Sequence, residues 1–169
     1  MEIREPAVAG RFYEADPDKL KRTVLRYLDC GPAKTDGEII GVLAPHAGYA
    51  YSGATAGRAF SRLAGIKADT FVIIGAGHTM ALERGALMAG GLFETPLGRV
   101  AVDLNLAAEL LKAPSLFENL PQAHEAEHSI EVQLPFLQFV SKQYLPDLRI
   151  VAISMFNQDY ETIKKLALT

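Results

Sequence analysis

The stretch His124-Glu125-Ala126-Glu127-His128 sets two imidazoles and two carboxylates side by side in the chain. Two histidines at this spacing, the first followed by Glu, are how one helix face grips a zinc ion while the Glu serves as general base to the bound water. The two remaining histidines, His46 in "LAPHAGYAYSG" and His78 in "VIIGAGHT", each follow an apolar run and stand among small residues. Glycine there lets backbone approach closely and leaves an imidazole open to a cleft. Neutral imidazole suits iron, copper and zinc alike, so two such residues and a His/Glu cluster also fit a mononuclear metal site.

The elements around these residues decide between the two chemistries. A protease helix carries both histidines in its middle, but Pro121 lies just upstream of His124 and "ENLPQA" has no apolar period. The helical stripe Ile130, Leu134, Leu137 and Val140 begins only afterwards, with Pro135 placed to kink it. His124 is therefore expected in a loop and His128 at the start of the next helix, where the two need not share a face. The zinc-protease reading is the minority one. Glu125, Glu127 and Glu131 surround His128 as acceptors able to fix which ring nitrogen faces a metal or substrate. The plainer reading is an acidic helix start favoured by the macrodipole. Taken singly, a histidine after a strand is more often a hydrogen-bonded loop residue than a ligand. Tyr49 and Tyr51 read as cleft-lining or core aromatics, Ser52 as a helix cap without a paired base, and Cys30 as the buried end of a helix with nothing near it to activate the thiol.

Asp16 caps a helix that begins at Pro17, repeats Leu20, Val24 and Leu28, and stops at Gly31. "EIIGVLAP" (38–45), "DTFVIIGAG" (69–77) and "LRIVAISMF" (148–156) read as buried strands. A helix ending at Gly65 separates the first two. Between the last two come a pair of strands turning at "TPLG", a helix capped by Asp103, and the helix after His128; "DYETIKKLAL" is a final helix. This alternation predicts a three-layer α/β fold, a mostly parallel sheet with helices on both faces. Ligands bind such sheets beyond the carboxyl ends of the strands. His46 and His78 fall there, and the "HEAEHS" loop would add a third histidine if it folds over the same edge.

With 49% hydrophobic and 22% charged residues in 169, the chain can bury the core of one domain. A net charge of -3 without a basic cluster argues against nucleic acid and anionic membrane as partners, and no apolar run reaches the roughly 20 residues of a bilayer span. One cysteine excludes an internal disulfide framework, and "MEIREP" is too polar for a signal peptide, so the expected compartment is cytoplasmic.

The segments "AGRFYEAD", "LAPHAGYAYSG", "VIIGAGHT", "FETPLGRVAVD" and "AHEAEHSIEVQLPFLQ", in that order and over nearly the whole chain, closely resemble the Memo family, also called AmmeMemoRadiSam system protein B in bacteria and archaea. The resemblance implies a fold similar to the class III extradiol ring-cleaving dioxygenases, a mixed sheet between helices, where two histidines and a carboxylate hold non-haem iron. Memo-like proteins resemble these, with a cysteine replacing the acid, and iron or copper as the metal. By that likeness His46 and His78 would be metal ligands, His128 a catalytic acid/base or substrate contact, and Glu125 a carboxylate of the same pocket. Two departures stand out. The family's "GPSH" is "GAGH" here, which keeps the histidine. The family's ligand cysteine lies in a C-terminal part beyond Thr169, and Cys30 does not match it, so residues 1–169 would be a single Memo-like domain lacking that part. An open sheet edge would then favour a homo-oligomer. The implied function is a metal-dependent oxidoreductase acting on a small oxidisable molecule. The alternative is a non-catalytic module that binds a peptide or phospho-ligand in the same cleft, with helix N-termini as donors.

Overall fold

The computed structural model describes residues 2–29, 38–66, 68–141, 147–156 and 159–168. Cys30 and Gly31 lie outside them. The sheet is built around β7 (Arg149–Met155), whose sequence is apolar on both faces. β2 (Thr70–Ala76) runs parallel to it along its full length, from Thr70 opposite Arg149 to Ala76 opposite Met155. On the other side, the start of β7 pairs in parallel with β5 (Gly98–Val102) and its end pairs antiparallel with β3 (Gly85–Leu87). β4 (Leu92–Thr95) is antiparallel to β5, β1 (Ile3–Arg4) is parallel to β4, and β6 (Phe117–Asn119) is parallel to β3. Among the described residues the result is a mixed, mostly parallel sheet of seven strands.

Strand side chains alternate between faces, and β7 shows what each face meets. Ile150 and Ala152 join a core made with Leu20 and Val24 of α1 (Pro17–Leu28), Phe60 of α2 (Tyr49–Phe60) and Phe136 of α5 (Leu134–Ser141). Val151, Ile153 and Met155 join a second core with Leu106 and Leu110 of α3 (Leu104–Leu110) and Leu166 of α6 (Tyr160–Ala167). Burial on both faces is why the strand reads as a continuous apolar run, and it makes the fold three-layered, as expected. No helix among the described residues is long and apolar enough to cross a membrane.

Local signals place most boundaries. The Asp16 side chain accepts from Lys19 N (2.7 Å), and Asp103 accepts from Asn105 N (3.1 Å) and Leu106 N (3.0 Å). Such caps satisfy amides that the first helical turn leaves without partners. The β4–β5 turn closes on Gly98 at φ +120, a backbone that side chains with a Cβ rarely adopt. Two further strands, β3 and β6, escape the sequence reading because three residues are too few to show a period.

The expected strand at 38–45 is not part of the sheet. Its residues join no ladder among the described residues, and Ile40 and Leu43 are 99% and 97% exposed. A β-branched run favours extended backbone, but a strand exists only through a partner, which the run does not specify. Among the described residues β2 pairs only with β7, so its other edge is open.

His124 also departs from expectation. It lies in a short helix, α4 (Gln122–Glu125), rather than a loop, and it is buried. Its Nε2 donates to the Ala86 carbonyl (3.1 Å), and its ring meets the Phe93 ring edge-on at 5.7 Å. Burial holds its pKa down at about 4, against the opposing pull of the Ala86 carbonyl. The unfolded chain therefore binds more protons than the fold between pH 6.5 and 4, and stability falls as pH falls through that window. The unfolding free energy from urea denaturation should drop there with a slope of up to about 1.4 kcal/mol per pH unit from this residue. His124→Gln, which keeps a donor but has no proton to gain, should flatten it. A Cβ at Gly57 would run into the Tyr27 carbonyl, where α2 lies closely on α1. Gly57→Ala should lower stability by roughly 1–3 kcal/mol in the same denaturation assay.

Candidate functional site

Three histidines from three separate segments meet at one end of the sheet. His46 precedes α2, His78 stands just past the end of β2, and His128 lies between α4 and the 3-10 turn Glu131–Gln133 that leads into α5. Each offers a ring nitrogen, and these nitrogens all lie within 4.8 Å of one another. Ring centroids are 5.1 Å apart for His46 and His78, 4.7 Å for His78 and His128, and 5.9 Å for His46 and His128.

The segment 127–133 ties the three together. Both oxygens of the buried Glu127 carboxylate accept bonds: one from His78 N (2.5 Å), the other from His78 Nδ1 (2.9 Å), His128 N (2.8 Å) and Ser129 N (2.9 Å). Ser129 Oγ donates to Ala76 O (2.7 Å) at the end of β2, and Gln133 Nε2 donates to Pro45 O (3.1 Å), one residue before His46. Gly75 makes the first of these approaches possible, since a Cβ there would come within 2.5 Å of Ser129 Oγ. From the other side, the Phe12 ring meets the edge of the His128 ring at 4.8 Å.

This geometry fixes protonation. Burial works to raise the Glu127 pKa, but the bonds from His78, Ser129 and His128 outweigh it and hold the carboxyl at about 2. A carboxylate can only accept, so His78 Nδ1 carries the proton of this bond, and in the neutral ring Nε2 is the nitrogen with the lone pair. Burial also lowers the His128 pKa, as do the neighbouring His78 and His46 rings, against the pull of Glu127. The fold thus favours a neutral His128, the form that ligates metal.

Among the described residues, the other candidates lie elsewhere. Glu125 is exposed and lines a separate depression with Glu2, Arg4, Glu5, Met88 and Pro121; the carboxylate against the histidines is Glu127. His124 faces Ala86 while His128 faces His46 and His78, so "HEAEH" does not form one metal-binding face. Tyr49 is a core residue whose hydroxyl donates to Val132 O (2.8 Å), Tyr51 is exposed, and Ser52 donates to Ala47 O (3.1 Å). Cys30 is outside the described residues. Sequence reasoning missed Arg4, Tyr13, Ser129 and Gln133. Arg4 bonds the carbonyls of His124 and Glu127 and the Glu131 carboxylate, which also accepts from Tyr13. No local signal in the sequence joins the arm "EIREP" to the acids of "HEAEHSIE", about 120 residues away.

The family model for Memo-like proteins matches residues 4–169. A MEMO1 family protein of Pyrobaculum aerophilum is 41% identical over 174 residues, covering 98% of this chain and 60% of its own length. Similar matches are found in Thermococcus onnurineus, 38% identical with 97% and 57% covered, and in Methanothermobacter thermautotrophicus, 41% identical with 95% and 59% covered. The chain spans less than two thirds of the length of these relatives. Set beside a sheet and a histidine cluster formed by the same segments that match, these likenesses place the chain in the Memo family.

Proposed function

We propose that the chain carries the histidine part of a transition-metal pocket, with His46, His78 and His128 as ligands. The observation that carries the reading is the convergence of three ring nitrogens within 4.8 Å, from segments far apart in sequence. The donor set fits: the imidazoles are backed by an ionised carboxylate that sets the His78 tautomer, the usual arrangement behind a ligating histidine. Iron or copper suits this set, as does zinc. The chemistry such an ion supplies is Lewis-acid or redox activation of a small molecule. The protein's own share is to aim the nitrogens and to keep Glu127 charged behind them. The function supported best is therefore a metal-dependent, dioxygenase-like oxidoreductase site, with His128 the residue able to trade ligation for contact with a substrate.

A second reading has one observation behind it. An open groove of about 830 Å3 runs from His46 along the edge of β2 that has no partner among the described residues, lined by apolar residues including Ile39, Phe60, Leu63, Phe71 and Ile73. A peptide could lie there whether or not a metal is bound, and the module would then bind without catalysing. Binding of a short apolar peptide that persists in chelator and after His78→Ala supports this reading against the first.

Titration with Zn(II), followed by thermal unfolding, tests the pocket. At a hundredfold excess over Kd the parent chain should gain about 2.7 kcal/mol. His46→Ala, His78→Ala and His128→Ala should each lose more than the roughly 10–100-fold in affinity that follows loss of an outer hydrogen-bond partner. Equal affinity in the parent and all three variants would remove the site.

A further inference from the structure

Behind the histidines lies a buried ion pair that bonds to none of the three rings. Arg4, on the short strand β1, is 5% exposed, and Glu131 is fully buried. Arg4 donates from Nη1 to Glu131 Oε2 (2.5 Å), from Nε to His124 O (2.9 Å) and from Nη2 to Glu127 O. Glu131 also accepts from Ala7 N (2.9 Å), Val8 N (3.1 Å) and Tyr13 Oη (2.5 Å). One guanidinium thus touches the loop at residues 124, 127 and 131, while Glu131 fastens the N-terminal arm to it.

A buried pair of this kind is a weak source of stability. Taking both charges out of water costs several kcal/mol per ion, and apolar residues of similar volume often serve as well. What an apolar pair cannot do is hold three acceptors at set distances, which the rigid fork of arginine does and the single ammonium of lysine does not. The three points held here bracket Glu127, whose side chain orients His78, and His128 itself.

We propose that Arg4 and Glu131 are positioning residues for the histidine cluster: the guanidinium fork sets the path of residues 124–131, and so where the Glu127 carboxylate and the His128 ring fall relative to His46 and His78. The metal readout below rests on the pocket proposed above, whereas the nitrogen readout does not.

The test compares the parent with Arg4→Met/Glu131→Leu and with Arg4→Lys. Imidazole 15N shifts of the metal-free protein report the tautomers of His78 and His128, and Co(II) titration reports affinity and, through its visible bands, the ligand set. The double variant should unfold cooperatively, yet show His78 sampling both tautomers and Co(II) bound about 10–100-fold more weakly with altered bands. Adding His128→Ala should then cost little more, because the ring has already left its place. Arg4→Lys should not rescue either readout, whereas a purely structural charge would be rescued. If the double variant does not fold, Arg4→Lys decides by the same shifts. Parent-like shifts in either folded variant, or a His128→Ala loss of equal size in both backgrounds, would overturn the proposal. A parent that binds no Co(II) would refute the metal pocket while the shifts still decide the positioning role.

Discussion

The arrangement depends on one buried carboxylate. Glu127 accepts from two backbone amides of its own loop and from both the amide and the ring of His78, across 49 residues of sequence. Four donors on one ionised group satisfy it where water cannot, and charge-assisted bonds of this sort are roughly twice as strong as neutral ones. The bonds also convert a loop without regular structure into a fixed link between the end of β2 and the approach to α5. Take the carboxylate away and the His78 ring has no defined tautomer, while the amides of residues 128 and 129 lose their acceptor.

The histidines would oppose this assembly if they were charged. Two imidazolium rings about 5 Å apart repel by roughly 3 kcal/mol at an effective dielectric of 20, and by less where water reaches them, as it does at the 41%-exposed His78 side chain. Burial and the neighbouring His78 and His46 rings push His128 toward the neutral form, which lessens the repulsion. Neutral imidazole is the form in which the cluster would take the metal cation proposed above. His124 has the same ring in a different setting. With its proton committed to a β3 carbonyl and its face against Phe93, it is a core residue.

What could be read from sequence followed from how many residues carried each signal. β7 is long enough to show a continuous apolar run and α1 to show period and cap, and Asp16, Asp103 and Gly65 marked element ends through local chemistry that needs no tertiary contact. β3 and β6 were illegible because their existence is owed to pairing with β7 and with each other. The run at 38–45 failed in the opposite sense, with strong β preference and no partner strand among the described residues. At the site, glycines around His46 and His78 marked two of the three histidines, and the absence of apolar period before His124 separated it from His128. Which of Glu125 and Glu127 turns inward could not be read, since neighbouring acids differ only in the direction the loop gives them. Arg4 was invisible because its partners lie 120 to 127 residues away.

X-ray absorption at the metal edge tests the central claim most directly, because it counts imidazoles around the ion without relying on activity. For the zinc-loaded parent, the arrangement predicts one ion per chain and the multiple-scattering pattern of three imidazoles, reduced to two in His128→Ala. A first shell of oxygen alone, or a parent pattern unchanged by His128→Ala, would contradict it.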